Sequence, residues 1–131
     1  MVDAKKILIA EDNPVLAAVL QRNLQRCGYQ TKVANDGWEA IESLKTQPVD
    51  LLLTDFQLPG ATGGDICRFV RQERNDPDLP ILICTAKSVE LLQQSESVQQ
   101  WHPTALISKP FSMRAIIQKI ESAFAETLSC R

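Results

Sequence analysis

The sequence predicts an α/β fold in which one parallel sheet is covered by helices on both faces. Three observations carry this expectation. Short apolar runs such as ILIA, LLL and ILIC do not alternate polar with apolar, which suits strands buried on both sides. The stretches between them have helical spacing instead. The two patterns then alternate along the whole chain, and strands alternating with helices imply parallel strands joined by right-handed crossovers.

The strands are expected at Lys6–Ala10, 31–34, 50–54, 80–84 and Ala105–Ser108. Between the first two, Val15, Leu16, Val19, Leu20 and Leu24 form a stripe. Asn13-Pro14 opens that helix, because asparagine caps and proline fits the first turn, and Cys27-Gly28 closes it. Asp36-Gly37 begins a second helix with Ala40, Ile41 and Leu44 inward. Ile66, Phe69 and Val70 mark a third, and Val89, Leu91, Leu92 and Val98 a less regular fourth. Ser112 opens a fifth, carrying Ile116, Ile117, Ile120 and Phe124. The C-terminal ETLSCR is expected to fray.

At 131 residues the chain fits one domain. A net charge of -2 argues against a nucleic-acid partner, which calls for a basic face. No run approaches the about 18 apolar residues of a membrane span, and MVDAKK leads into a run too short for a signal peptide. Cys27, Cys67, Cys84 and Cys130 lie far apart without a C-x-x-C pair. That favours core packing for Cys27 and Cys84 over a disulfide framework or zinc, and a reducing, cytoplasmic setting.

Ligands of such sheets bind outside the carboxyl ends of the strands. Those ends carry Glu11-Asp12, Asp55, Thr85 and Ser108-Lys109-Pro110. Each has an ordinary use alone. Glu11 or Asp12 could cap a helix, Asp55 could open the turn before Leu58-Pro59-Gly60, Thr85 could end a strand and Lys109 could be a solvated charge. Together they place three carboxylates, a hydroxyl and an ammonium on one edge. Crowded carboxylates repel, and a hard cation such as magnesium, which takes oxygen ligands and phosphate, relieves that. An aspartate so placed can attack phosphorus. Lys109 and Thr85 can meet the phosphoryl oxygens.

The motifs ILIAEDN, LLLTDFQLPG, ILICTAK and LISKPF, in this order and spacing, resemble the receiver domain of bacterial response regulators (CheY-like) over about residues 5–127, leaving 128–131 as a tail. The resemblance implies a flavodoxin-like, doubly wound five-stranded sheet of order 2-1-3-4-5 with five helices. It implies that Asp55 accepts the phosphoryl group, that Glu11 and Asp12 with Asp55 hold Mg2+, with Mn2+ a second candidate, and that the Gln57 backbone carbonyl completes the metal site. Thr85 matches the switch hydroxyl and Lys109 the phosphate-binding lysine, placed by a cis Lys109-Pro110 peptide. The implied partners are a histidine kinase or phosphotransfer protein and a downstream protein target or a second copy of the chain. No direct nucleic-acid or membrane contact is expected. The only reactions implied are self-catalysed phosphotransfer and autodephosphorylation, so the chain is expected not to be an enzyme toward other substrates.

Three departures concern the switch surface on the fourth helix, fifth strand and fifth helix. The family's usual aromatic residue three before the lysine is Leu106 here, so there is no ring to rotate. Trp101-His102-Pro103-Thr104 replaces the usual glycine-alanine pair, and the segment from Thr85 to Lys109 is slightly long. Trp101 could anchor a partner or fill the space left by Leu106, whereas Trp38 is expected to pack on its own helix near Gly37. An alternative function is a scaffold of the same fold that binds partners without phosphorylation. A small-molecule phosphatase is disfavoured because Asp55-Phe56-Gln57 is not D-x-D, and flavin because the acidic Glu11–Pro14 loop repels phosphate. His102, the only histidine, reads as a surface or packing residue, not as a phosphotransfer site.

Overall fold

The computed structural model describes residues 4–129. Five parallel strands form one sheet in the order β2-β1-β3-β4-β5, with β1 at Lys6–Ala10, β2 at Gln30–Ala34, β3 at Leu51–Asp55, β4 at Ile81–Thr85 and β5 at Ala105–Ser108. The central strands β1, β3 and β4 are buried almost throughout, while β2 and β5 at the edges are partly exposed. That distribution explains why the central runs are continuously apolar: both faces are covered.

Alternate residues of each strand feed two separate cores. Ile7, Ile9, Leu51, Leu53, Leu82 and Cys84 pack with Leu20 and Leu24 of α1 (Pro14–Arg26) and with Ile116, Ile120 and Ala123 of α6 (Met113–Ser129). Leu8, Ala10, Leu52, Ile81 and Ile83 pack on the other face. There they meet α2 (Gly37–Thr46), α3 (Gly63–Arg68) with the π-helical turn Phe69–Glu73 that continues it, α4 (Val89–Gln93) and α5 (Glu96–Trp101). Each fully buried Leu or Ile contributes roughly 2 kcal/mol through the apolar surface it removes from water.

The start signals act as their chemistry dictates. Asn13 Oδ1 accepts from the N–H groups of Val15 and Leu16, Asp36 from Glu39 and Ser112 from Ala115. Gly28, past the end of α1, has φ +95°, which glycine adopts without steric cost. The Lys109–Pro110 peptide is cis.

Four expectations need correction. The described residues form six α-helices, because the fourth stretch divides. Ser95 accepts from the N–H of Val98 and starts a new helix, a local bond that competes with continuation of α4. Leu91 is consequently exposed and Leu92 buried. On α1 the inward face is Ala17, Leu20 and Leu24, whereas Val15 and Val19 point to solvent; the small Ala17 lets the helix lie close to the sheet. Cys27 is exposed at the end of α1 and is no core residue, while Cys67 and Cys84 are buried. Trp38 is 66% exposed and lies across Gly60, not on its own helix alone. The last helix, α6, runs to Ser129. Residues 130 and 131, with Cys130, lie outside the described residues.

Candidate functional site

Parallel register sets the height at which each strand delivers its last side chain. Ala10 pairs with Thr54, Asp55 with Cys84 and Thr85 with Ser108. Glu11 therefore leaves β1 level with Asp55, and Lys109 leaves β5 one step beyond Thr85. The Lys109 N–H donates to the Thr85 carbonyl at 2.8 Å, which extends the ladder past β5 and aims the lysine back over the sheet edge.

Carboxylate oxygens of Glu11, Asp12 and Asp55 lie within 4.8 Å of one another. Lys109 Nζ stands 3.1 Å from Asp55 Oδ1 and 3.4 Å from Glu11 Oε1. Glu11 is buried, Asp55 half-buried and Asp12 exposed. Burial first, then the Asp55 charge and the Asp12 side chain, hold Glu11 above the usual carboxylate range, although the Asn13 N–H at 3.0 Å and Lys109 oppose the rise. Asp55 is raised too, by burial first and then by the Asp12 charge, against the lowering effects of Lys109 and the Phe56 N–H. For Lys109 burial works against the ammonium, but Asp55 and Glu11 outweigh it and its pKa rises. One ammonium thus faces three carboxylates, and the set is short of positive charge. An all-oxygen donor cluster with that deficit fits a hard divalent cation.

Thr85 is buried at the end of β4, where its hydroxyl accepts from the N–H of Lys87 at 2.9 Å. A hydroxyl that accepts one bond still has its own proton to donate. Gln57 is exposed two residues past Asp55. Phe56 between them is fixed at both ends: its N–H donates to Cys84 O at 2.8 Å and its carbonyl accepts from Gly63 N–H at 2.7 Å. Leu106 and Trp101 lie apart from this cluster. Both are partly buried against the core on the α2–α5 face.

The structure adds contributors that spacing did not reveal. The Asn13 N–H binds Glu11, and the Thr54 hydroxyl donates to the Asp55 carbonyl at 2.9 Å. Gly63 approaches so closely that a Cβ there would sit 2.7 Å from Asp55 O. Burial, with the Asp55 and Glu11 charges, pushes the Cys84 thiol beneath the site up to about 12, which keeps it protonated. The motif ILICTAK contained the clue for Lys87, whose backbone engages Thr85.

Residues 7–121 match the family model described as the response regulator receiver domain. Among solved structures, the receiver domain of a sensor histidine kinase from Pseudomonas aeruginosa, with a magnesium ion coordinated in its active-site cleft, is 31% identical. The match covers 89% of this chain and 93% of that one, with a TM-score of 0.76. A response regulator from Thermotoga maritima, solved with magnesium and BeF, is 26% identical over 91% of this chain and 98% of its own, at TM-score 0.80. A CheY-like receiver domain protein from Methanospirillum hungatei shares the fold at TM-score 0.87 and 23% identity, covering 98% of this chain and 99% of that one.

Proposed function

The chain belongs to the response regulator receiver domain family, and from that premise we propose that it takes a phosphoryl group from a histidine kinase or phosphotransfer protein onto Asp55 in a magnesium-dependent reaction. The observation that carries this is the single cluster in which Asp55 faces both Lys109 at 3.1 Å and the carboxylates of Glu11 and Asp12. An Asp55 oxygen forms the new O–P bond while the donor's P–N bond breaks and its electron pair returns to the imidazole nitrogen. Lys109, released from Asp55, pairs with a phosphoryl oxygen. Glu11, Asp12, Asp55 and the Gln57 carbonyl would hold the cation, which supplies neutralising charge to the phosphoryl oxygens. Manganese, with the same preference for oxygen ligands, is a second candidate.

The consequence we propose is a change in partner binding on α4, α5, β5 and α6. Thr85 donates its hydroxyl proton to the phosphoryl group, and the following loop moves with it. A modification shifts an equilibrium only by its preference for one state, so Lys109→Ala and Thr85→Ala should accept label yet respond weakly. Leu106 offers no aromatic rotation, which leaves the loop as the lever. The proposed setting is cytoplasmic, and the chain catalyses only its own phosphotransfer from the donor and its own dephosphorylation, not reactions of other substrates. Among the described residues no helix is long and apolar enough to cross a membrane.

Incubation with phosphorylated histidine kinases, followed by intact-mass measurement, tests the proposal. One phosphoryl group should appear on the wild-type chain with at least one donor and none on Asp55→Asn. Equal labelling of both proteins refutes the assignment.

A further inference from the structure

Trp38 is among the few large apolar side chains left exposed, at 66%, so burial does not explain it. Its neighbour does. A Cβ on Gly60 would lie 2.3 Å from Trp38 Cδ1 and 2.6 Å from Nε1, so the pyrrole edge of the indole rests directly on the Gly60 backbone. Gly60 has φ +79°, in the region that favours glycine. The same turn of α2 grips the loop twice more. The Gly37 N–H donates to the Pro59 carbonyl at 3.0 Å, and the Gly37 backbone comes so near that a Cβ would sit 1.8 Å from Ala61 O.

Gln57 lies between two anchored points. On one side Phe56 is tied to Cys84 and Gly63; on the other, residues 59–61 are clamped by α2. The tilt of the Gln57 carbonyl is therefore set by how the 58–60 segment is held. Of these three contacts with residues 59–61 the indole is the one made by a side chain of α2, while Leu58, beside Gln57, is itself buried in the core on the α2 side.

We infer that Trp38 is a positioning residue for the cation site: its indole, laid across Gly60, holds the 57–60 loop so that the Gln57 carbonyl meets a cation carried by Glu11, Asp12 and Asp55. The inference rests on the proposed reading of that cluster as a magnesium site with the Gln57 carbonyl as a further ligand. Groups that orient metal ligands without touching the metal commonly change affinity by about tenfold or more when removed.

The test is calorimetric titration of the full chain with magnesium chloride. Trp38→Ala should weaken magnesium binding by about tenfold, while Trp38→Phe, whose ring still covers Gly60, should keep most of the affinity. Far-UV circular dichroism of both should match wild type. In a Trp101→Phe background Trp38 is the only tryptophan, and its emission should change with magnesium, with a midpoint that matches the calorimetric one. Unchanged affinity in Trp38→Ala overturns the inference, as does equal loss in Trp38→Phe or flat emission across a saturating titration. A wild-type chain that takes up no magnesium would overturn the metal reading along with it, which separates the two failures.

Discussion

At Asp55, burial and the Asp12 charge hold the carboxyl above its ordinary range while Lys109 at 3.1 Å pulls the other way. Glu11 beside it is raised as well. A carboxyl raised by folding binds more protons in the folded than in the unfolded chain, so stability falls as pH rises through the window above the ordinary values of 3.8 and 4.5. The raised Lys109 acts only above its ordinary 10.5 and does not contribute to that window. Without metal, Asp55→Asn should therefore be more stable than wild type at neutral pH, by roughly 1 kcal/mol or a few degrees. The difference should close as pH falls below the ordinary carboxylate range. Thermal melts of both proteins at a series of pH values measure this; a variant less stable than wild type at pH 7 would contradict it. The residues of this site were legible because each stands at a strand end, a position that periodicity locates. The Asn13 N–H on Glu11, the Thr54 hydroxyl on Asp55 and the fit of Gly63 were not, since they depend on backbone approach that spacing does not encode.

Among the elements, α5 is held in a way the sequence does not announce. Arg71, on the π-helical turn, donates from Nε to Trp101 O, from Nη1 to Asp76 O and Leu79 O, and from Nη2 to His102 O, all between 2.8 and 3.2 Å. Cys67 Sγ also reaches Trp101 O at 3.4 Å. His102, with φ +50°, turns the chain from α5 toward β5. One guanidinium thus fastens the end of α5 to the loop before β4. Arg71→Met keeps the apolar stem and removes the donors, and should cost about 2 kcal/mol, read by urea denaturation. Faster amide exchange should accompany it at residues 98–104 more than in α1. Uniform exchange across the chain would mean that the clamp is not local. The strands and the caps at Asn13, Asp36 and Ser112 were readable from residue type. The break in the fourth helix was not, because Ser95 is unremarkable until its hydroxyl takes the Val98 N–H. Of the α1 stripe Leu20 and Leu24 do face the core, but Val15 and Val19 do not, because helical spacing marks a stripe without fixing where its edges fall. Trp101, partly buried against the same core as Leu106, can be assigned by mutation. If Trp101→Ala lowers stability but leaves partner affinity intact, it packs; if affinity falls by about 1 kcal/mol or more, it anchors.

For the whole molecule, one sheet edge gathers charges from positions as distant as Glu11 and Lys109, and a ligand of that edge binds only the folded chain. Magnesium should then raise the melting temperature, stabilising by about 1.4 kcal/mol at ten times its dissociation constant. Asp12→Ala should lose that gain while keeping its fold; an equal gain in Asp12→Ala would move the cation elsewhere. Fold class followed from the alternation of strand and helix patterns. Strand order did not, since pairing between distant segments leaves no period in the sequence, and the order 2-1-3-4-5 came through resemblance before the sheet displayed it.

The most direct test of Asp55 as the phosphoryl acceptor is the intact mass of wild type and Asp55→Asn after incubation with acetyl phosphate, with and without magnesium. The expected result is one added phosphoryl group on wild type in the presence of magnesium, little without it, and none on the variant. A variant that gains the group as readily as wild type, or a wild type that never gains it, would contradict the assignment.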